Sequence, residues 1–323
     1  MKMLFSGLGG RSFGSPMPAL QLEGGPGYGE HPVKFVLSLG GRRAAAGGGD
    51  TLTLFDLKDG GLKPLSTLRL PGKGACAGAW DPARGLLAVC MEHEGGIAVV
   101  RVGEDSLQLA ARADDPAGGR EGPRFRSAVF TSDGRLITAH TALDRLCLYD
   151  LSPEGEIRSA ESVQLPDGDG IRELLLREDS GRLYATTEQT NAVMAFSFDG
   201  GTPALLGKTP SLTPDYAMPS HQGSLCMDRA GKFLYVSNRG ANTVTVFKTG
   251  ADTPTGLARV AEAPVCGDYP RRALLTPDGA QMVCMNQRSN SVTILPVGPD
   301  GVPGMPTRVL PFMHPSDVAF VEA

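Results

Sequence analysis

Aromatic residues are scarce in this chain, which has one tryptophan, Trp80, and only 6% Phe, Trp and Tyr together. Large protein-binding surfaces draw on aromatic anchors, so this scarcity argues against a protein-docking scaffold as the main role. Long apolar runs are missing too. No stretch of 18 apolar residues occurs, and Met1-Lys-Met-Leu-Phe-Ser-Gly-Leu-Gly-Gly lacks the apolar core of a signal peptide. A cytoplasmic location with no membrane partner is expected. Positive charge is not in excess: 31 Lys and Arg stand against 35 Asp and Glu, a net charge of −4, which gives no general attraction to nucleic acid. The six cysteines, Cys76, Cys90, Cys147, Cys226, Cys266 and Cys284, include no close pair. That spacing offers neither a zinc site nor a disulfide framework, so buried free thiols are expected, with no metal and no cofactor.

What the chain has is repetition. The clearest copies are Phe233-Leu-Tyr-Val-Ser-Asn-Arg-Gly-Ala-Asn-Thr-Val-Thr-Val-Phe247 and Met282-Val-Cys-Met-Asn-Gln-Arg-Ser-Asn-Ser-Val-Thr-Ile-Leu295. The first apolar residues of the alternating strands, Leu52, Ile97, Leu146, Val193, Val244 and Val292, are separated by 45, 49, 47, 51 and 48 residues. A second landmark keeps the same period, since Gly85, Gly134, Gly181, Gly231 and Gly279 are separated by 49, 47, 50 and 48. Two independent marks with one period define a structural repeat.

Each unit reads as four short strands. Ala273-Leu-Leu-Thr is followed by the turn Thr276-Pro-Asp-Gly279, then Gln281-Met-Val-Cys-Met, the polar loop Gln287-Arg-Ser-Asn290, Ser291-Val-Thr-Ile-Leu and a weaker strand near Thr307-Arg-Val-Leu. Four strands in a unit of this length make a propeller blade. Six blades fall at 29–70, 74–116, 122–166, 167–215, 220–265 and 266–312. The remainder makes a seventh, with His314-Pro-Ser-Asp-Val-Ala-Phe-Val as its innermost strand and Met1-Lys-Met-Leu-Phe-Ser and Ala19-Leu-Gln-Leu as outer strands. The sequence therefore predicts an all-β, seven-bladed β-propeller with four antiparallel strands per blade. Its ring is closed by a blade shared between the termini, which removes two exposed sheet edges. With 43 glycines and 25 prolines beside 41% hydrophobic residues, and almost no helical spacing, the chain suits many turns between buried strands. No linker or low-complexity stretch divides it, so residues 1–323 are expected to form a single propeller domain.

Blade topology then locates a site. Residues just before each first strand and just after each second strand gather at one mouth of the central channel. The entrances supply Arg124, Arg126, Arg172, His221, Arg271 and Arg272, and the exits supply Glu92, His140, Glu188, Arg239 and Gln287. Single arginines of this kind can pair with Glu173 or Asp268. The whole set, in a protein that is acidic overall, points to a small anionic ligand, because clustered cations repel one another unless an anion offsets them. His221 also fits a loop histidine with a structural hydrogen bond, and Glu188 fits a structural partner of Arg172. Gly7-Leu-Gly-Gly-Arg-Ser-Phe-Gly14 is glycine-rich, but no βαβ unit surrounds it, so it reads as a blade connection rather than a phosphate loop.

Two of these segments carry a family resemblance. Thr276-Pro-Asp-Gly with Met285-Asn-Gln-Arg-Ser-Asn-Ser-Val-Thr-Ile, and Lys232-Phe-Leu-Tyr-Val-Ser-Asn-Arg-Gly-Ala-Asn-Thr-Val-Thr-Val-Phe, resemble the seven-bladed propeller lactonases. Propeller-type 6-phosphogluconolactonases and the fungal 3-carboxy-cis,cis-muconate lactonizing enzyme belong to that family. The resemblance is good over 122–321 and faint before 70. It implies interconversion of a lactone and an open-chain acid, with Arg172 and Glu188 matching an arginine and a glutamate of the family site. Arg239, from Ser-Asn-Arg-Gly, matches the second arginine, with Arg271 as a competitor. The family's Pro-His-x-His entrance is Pro123-Arg-Phe-Arg126 in this chain, so both histidines are arginines. The implied activity is hydrolysis of a small anionic sugar lactone of the 6-phosphogluconolactone type, with Glu188, Arg172 and Arg239 catalytic and Arg124, Arg126, Arg271 and His221 binding substrate. A non-catalytic metabolite-binding or protein-interaction propeller, and a carboxymuconate cyclase-like lactonizing enzyme, are the alternatives.

Overall fold

The computed structural model describes residues 1–12, 15–17, 20–23, 27–28, 32–58, 61–94, 96–118 and 125–322. Arg124 lies outside the described residues. Alternation of apolar and polar residues produces seven four-stranded antiparallel sheets, the blades of a seven-bladed β-propeller. Among the described residues helix is confined to two single 3₁₀ turns, Thr141–Leu143 and Glu178–Ser180. Among the described residues no helix is long and apolar enough to cross a membrane.

The chain clusters into two compact units. Met1–Asp167 with Ser316–Ala323 forms one, and Gly168–Pro315 the other. The first unit holds the closing blade, in which Pro315–Val321 pairs with Lys2–Gly7, followed by Leu20–Leu22 and Gly27–Tyr28. This is the shared blade expected from the terminal sequences. Blade one starts at Phe35–Gly40, blade two at Lys73–Asp81 and blade three at Phe125–Phe130. In the second unit, blade four starts at Ile171–Arg177, blade five at His221–Met227 and blade six at Pro270–Leu275. The glycine-rich N-terminal segment forms a short ladder of Gly10–Ser12 with Ser15–Met17, a blade connection as expected.

Cohesion comes from apolar sheet faces pressed together. In the first unit, Leu86, Ala88, Cys90 and Val99 of blade two form one cluster with Leu136, Cys147 and Tyr149 of blade three. In the second unit, Tyr184, Val193 and Ala195 of blade four pack with Leu225, Leu234 and Phe247 of blade five. All six cysteines are free, five of them buried and Cys266 exposed.

The first strands of blades two to six share a second feature, a β-bulge near the start. The register skips between Ala75 and Ala77, Phe125 and Ser127, Ile171 and Leu174, Gln222 and Leu225, and Pro270 and Arg272. Arg126, Arg172, Glu173, Gly223 and Arg271 therefore lie in bulges, where an extra residue bends the strand and re-aims its side chains. At Gly223 a side chain has no room. A Cβ there would run into Ser237 Oγ and would lie 2.7 Å from Pro270 O and 2.9 Å from Arg271 O. Gly223→Ala is expected to destabilise the protein by about 1–3 kcal/mol through this overpacking, read as a lower urea midpoint at unchanged m-value.

Candidate functional site

In the second unit, three residues expected at the site meet in one cluster. Glu188 directly follows the strand Arg182–Thr187. Its backbone is fixed by Glu188 N–H donating to Gly170 O at 2.8 Å and Gln189 N–H donating to Asp169 O at 3.0 Å. Arg172 Nη1 donates to Glu188 Oε2 at 2.9 Å, and Arg239 Nη2 donates to Glu188 Oε1 at 2.9 Å. Each carboxylate oxygen thus accepts from its own guanidinium. The side chains of Arg172 and Arg239 are only 8% and 5% exposed, and that of Glu188 is 18% exposed.

Buried guanidiniums need acceptors beyond one carboxylate, and blade five supplies them. Arg172 Nε donates to Gly223 O at 3.0 Å, while Arg239 donates through Nε at 3.2 Å and Nη2 at 2.8 Å to Gln222 O. The Gln222 side chain adds a tie beside Glu188, since its Oε1 accepts the Thr187 N–H at 2.7 Å. Arg239 also lies over the Tyr269 ring, 5.2 Å from its centroid, and Arg288 covers the same ring at 3.8 Å. Tyr269 holds a left-handed backbone at φ 63°, with its N–H bonded to Asn242 Oδ1 at 2.8 Å.

Two guanidiniums and one carboxylate leave a net positive charge in a confined place. Burial, and then the like charge of Arg172, bring the Arg239 guanidinium down to about 10, against the opposing pull of Glu188. Arg239 is still a cation at neutral pH. The arrangement favours an added anion, because a second negative group would offset both causes of that shift.

Of the remaining expected residues, His221 joins this cluster, with its Nδ1 3.1 Å from Glu188 O. Arg271 is half-buried in the bulge of blade six. Arg272 takes the structural alternative and pairs with Glu173. Arg126 lies in the first unit and forms a second cluster there. Its Nη1 is 3.0 Å from Glu92 Oε2, and Lys34 and His93 face Glu92 Oε1. Glu92 is 4% exposed. His140 is fully buried, edge-to-face with Phe125 at 5.1 Å between centroids.

Gln222, Gly223, Tyr269 and Lys34 were not singled out from the sequence. Gln222 and Tyr269 adjoin residues that were, but their contacts pass through a backbone carbonyl and a ring face, which leave no spacing signature. Two cavities among the described residues, of about 740 and 460 Å³, are lined in part by Tyr28 and Phe55 and by Arg177 and Tyr184 respectively. Neither is lined by Arg172, Glu188, Arg239 or His221. Among the described residues no three His, Cys, Asp or Glu side chains converge as a metal site requires.

Seven four-stranded blades, one of them carrying a carboxylate held between two arginines, define a β-propeller with a buried charged cluster. The sequence profile described as "Lactonase, 7-bladed beta-propeller" matches residues 44–311, and the chain belongs to that family. A 6-phosphogluconolactonase of Bacillus subtilis (strain 168) is 24% identical over 261 residues, covering 78% of this chain and 74% of that protein. Among solved structures, the periplasmic gluconolactonase PpgL of Pseudomonas aeruginosa superposes with a TM-score of 0.85 at 21% identity, covering 99% of both chains. A putative 6-phosphogluconolactonase of Bacteroides fragilis NCTC 9343 superposes with a TM-score of 0.83 at 19% identity, covering 99% of this chain and 98% of that one. At those identities the two structures share the fold with this chain.

The Glu92 cluster generates a pH prediction. Burial alone would raise the Glu92 carboxyl, but the charge of Arg126, with the hydrogen bond and charge of Lys34, outweighs burial and holds it below the usual carboxylate value. Its stabilising contribution is therefore fully present above about pH 4.5 and is lost as pH falls below that toward the folded-state value. Glu92→Gln is expected to cost about 3 kcal/mol at pH 7, with the gap from wild type narrowing at pH 3, below the ordinary carboxyl value at which the unfolded chain takes up the proton. Urea titrations at the two pH values measure this.

Proposed function

We propose that this protein is a lactonase that hydrolyses a small anionic sugar lactone of the 6-phosphogluconolactone type at the Arg172, Glu188 and Arg239 centre. The observation that carries this reading is the pair of buried guanidiniums clamped on one carboxylate, with a positive charge to spare. Membership of the lactonase family and the 6-phosphogluconolactonase named among the chain's relatives support it.

Hydrolysis of a lactone creates negative charge twice, first on the carbonyl oxygen in the tetrahedral intermediate and then on the product carboxylate. Arginines fixed in advance by backbone carbonyls stabilise such charge without reorganising at the moment of reaction. Arg172 and Arg239 are the groups proposed for that task. Glu188 holds the two guanidiniums together against their mutual repulsion, and Arg271 from blade six supplies a further cation for the substrate's own anionic group. The lactone is a reactive ester, so modest proton-transfer assistance on the order of 10²-fold suffices for a useful enzyme.

Purified protein is expected to open 6-phosphogluconolactone faster than a buffer control, measured by release of acid at constant pH. Arg172→Ala or Arg239→Ala is expected to lower kcat/KM by about 10²-fold, the loss typical of removing one oxyanion-stabilising donor. A wild-type rate equal to buffer sinks the reading. If phosphate or gluconate raised the melting temperature of a protein that turned over no lactone, the site would belong to a binding propeller instead.

A further inference from the structure

We propose that the proton acceptor for the attacking water is Nε2 of His221. This assignment rests on the lactonase reading above and names the group that the reading leaves open.

A group's affinity for a proton falls with each strong donor already bonded to it. Both Glu188 oxygens already accept charge-assisted hydrogen bonds, from Arg172 Nη1 and Arg239 Nη2, each at 2.9 Å. A carboxylate bound in this way is stabilised as the anion, which weakens it as a proton acceptor. The imidazole beside it is in the opposite condition. His221 Nδ1 lies 3.1 Å from Glu188 O, and because a carbonyl oxygen can only accept, Nδ1 carries the hydrogen. The neutral ring then has its lone pair on Nε2. No described protein group is bonded to that nitrogen, and the half-buried side chain is open to a water or a ligand.

The backbone holds the ring at the cluster. His221 is the first residue of His221–Met227 and pairs in register with Arg239. The preceding Ser220 is fixed on both sides, since its Oγ donates to Arg239 O at 3.2 Å and its carbonyl accepts from Asn191 Nδ2 at 2.8 Å. Gly240, at φ 116°, lets the neighbouring loop fold against this segment, where a Cβ would meet Pro219 O and Ser220 Cα. The histidine is thus oriented by the same two residues, Glu188 and Arg239, that form the charged centre. A group orienting the base through its far nitrogen is the usual arrangement for a catalytic imidazole.

The step balances as follows. Nε2 takes a proton from water as the water oxygen bonds to the lactone carbonyl carbon, and the carbonyl π pair moves onto oxygen beside the guanidiniums. Collapse of this intermediate breaks the ring C–O bond, and the imidazolium returns the proton to the departing ring oxygen, which becomes a hydroxyl. The new carboxylic acid releases its own proton to solvent, so the products are the open-chain hydroxy carboxylate and one proton.

The test uses His221→Asn, whose side-chain amide can still donate to Glu188 O but has nothing at the Nε2 position. On 6-phosphogluconolactone, kcat is expected to fall by about 10²-fold with little change in KM, and the low-pH limb of the wild-type rate profile is expected to vanish. Of the residues tied to the ring, Glu188 and Arg239 carry charge, and Arg172 shares the Glu188 carboxylate. None of them is altered in the variant, so a limb caused by any of them persists. As a second readout, the rate of His221→Ala is expected to climb with added imidazole. A folded His221→Asn protein that keeps wild-type kcat and the acid limb overturns the assignment and leaves the lactonase reading standing, as does a folded His221→Ala protein that imidazole does not rescue. Wild-type protein that opens no lactone overturns both.

Discussion

A four-stranded antiparallel blade satisfies its interior backbone groups but leaves two apolar faces, and burying those faces is the constraint from which the rest of this structure follows. Neither face can stay in water, so each blade needs a neighbour, as Leu136 and Tyr149 need Leu86 and Val99. Strand interiors are committed to that packing and are occupied by residues such as Val193, Ala195, Val236 and Phe247. Chemistry is therefore confined to strand ends, where the backbone leaves one blade for the next strand.

At those ends the bulge does the positioning. A regular strand would alternate side chains strictly between two faces, and consecutive residues such as Arg172 and Glu173 would have no special direction. The extra residue in Ile171–Arg177 turns Arg172 toward Glu188, and Glu173 pairs with Arg272. The same distortion in blade five bends the Gln222 to Gly223 segment whose carbonyls hold Arg239 and Arg172. Desolvating two guanidiniums is unfavourable, and these carbonyls with Glu188 offset that cost. Two guanidiniums on one carboxylate leave a positive charge, the feature on which the proposed binding of an anionic lactone rests.

Much of this was legible in the sequence, in particular places. The spacing of Leu52, Ile97, Leu146, Val193, Val244 and Val292 gave blade count and register, and the short segments at the two termini were assigned to one blade, as the pairing of Pro315–Val321 with Lys2–Gly7 bears out. Counting from blade entrance to exit put Arg172, Glu188 and Arg239 on one list, and they meet. That list also carried Arg272, which pairs with Glu173, and Arg126, which sits with Glu92 in the other unit. Position in a repeat says which end of a strand a residue occupies, but not which neighbour its side chain reaches.

The sequence by itself determined the blades, because strand formation and face-to-face packing depend on alternation of apolar residues, and alternation is a local property of the chain. It also determined that cationic residues accumulate at one set of strand ends. Only the tertiary structure decided which cations share a carboxylate, which nitrogen of His221 is engaged, and why position 223 must be glycine. Those outcomes rest on contacts between residues 14 to 51 positions apart, such as Gly223 with Ser237 and Arg239 with Glu188. Bulges and packed carbonyls fix such contacts, and no spacing along the chain encodes them.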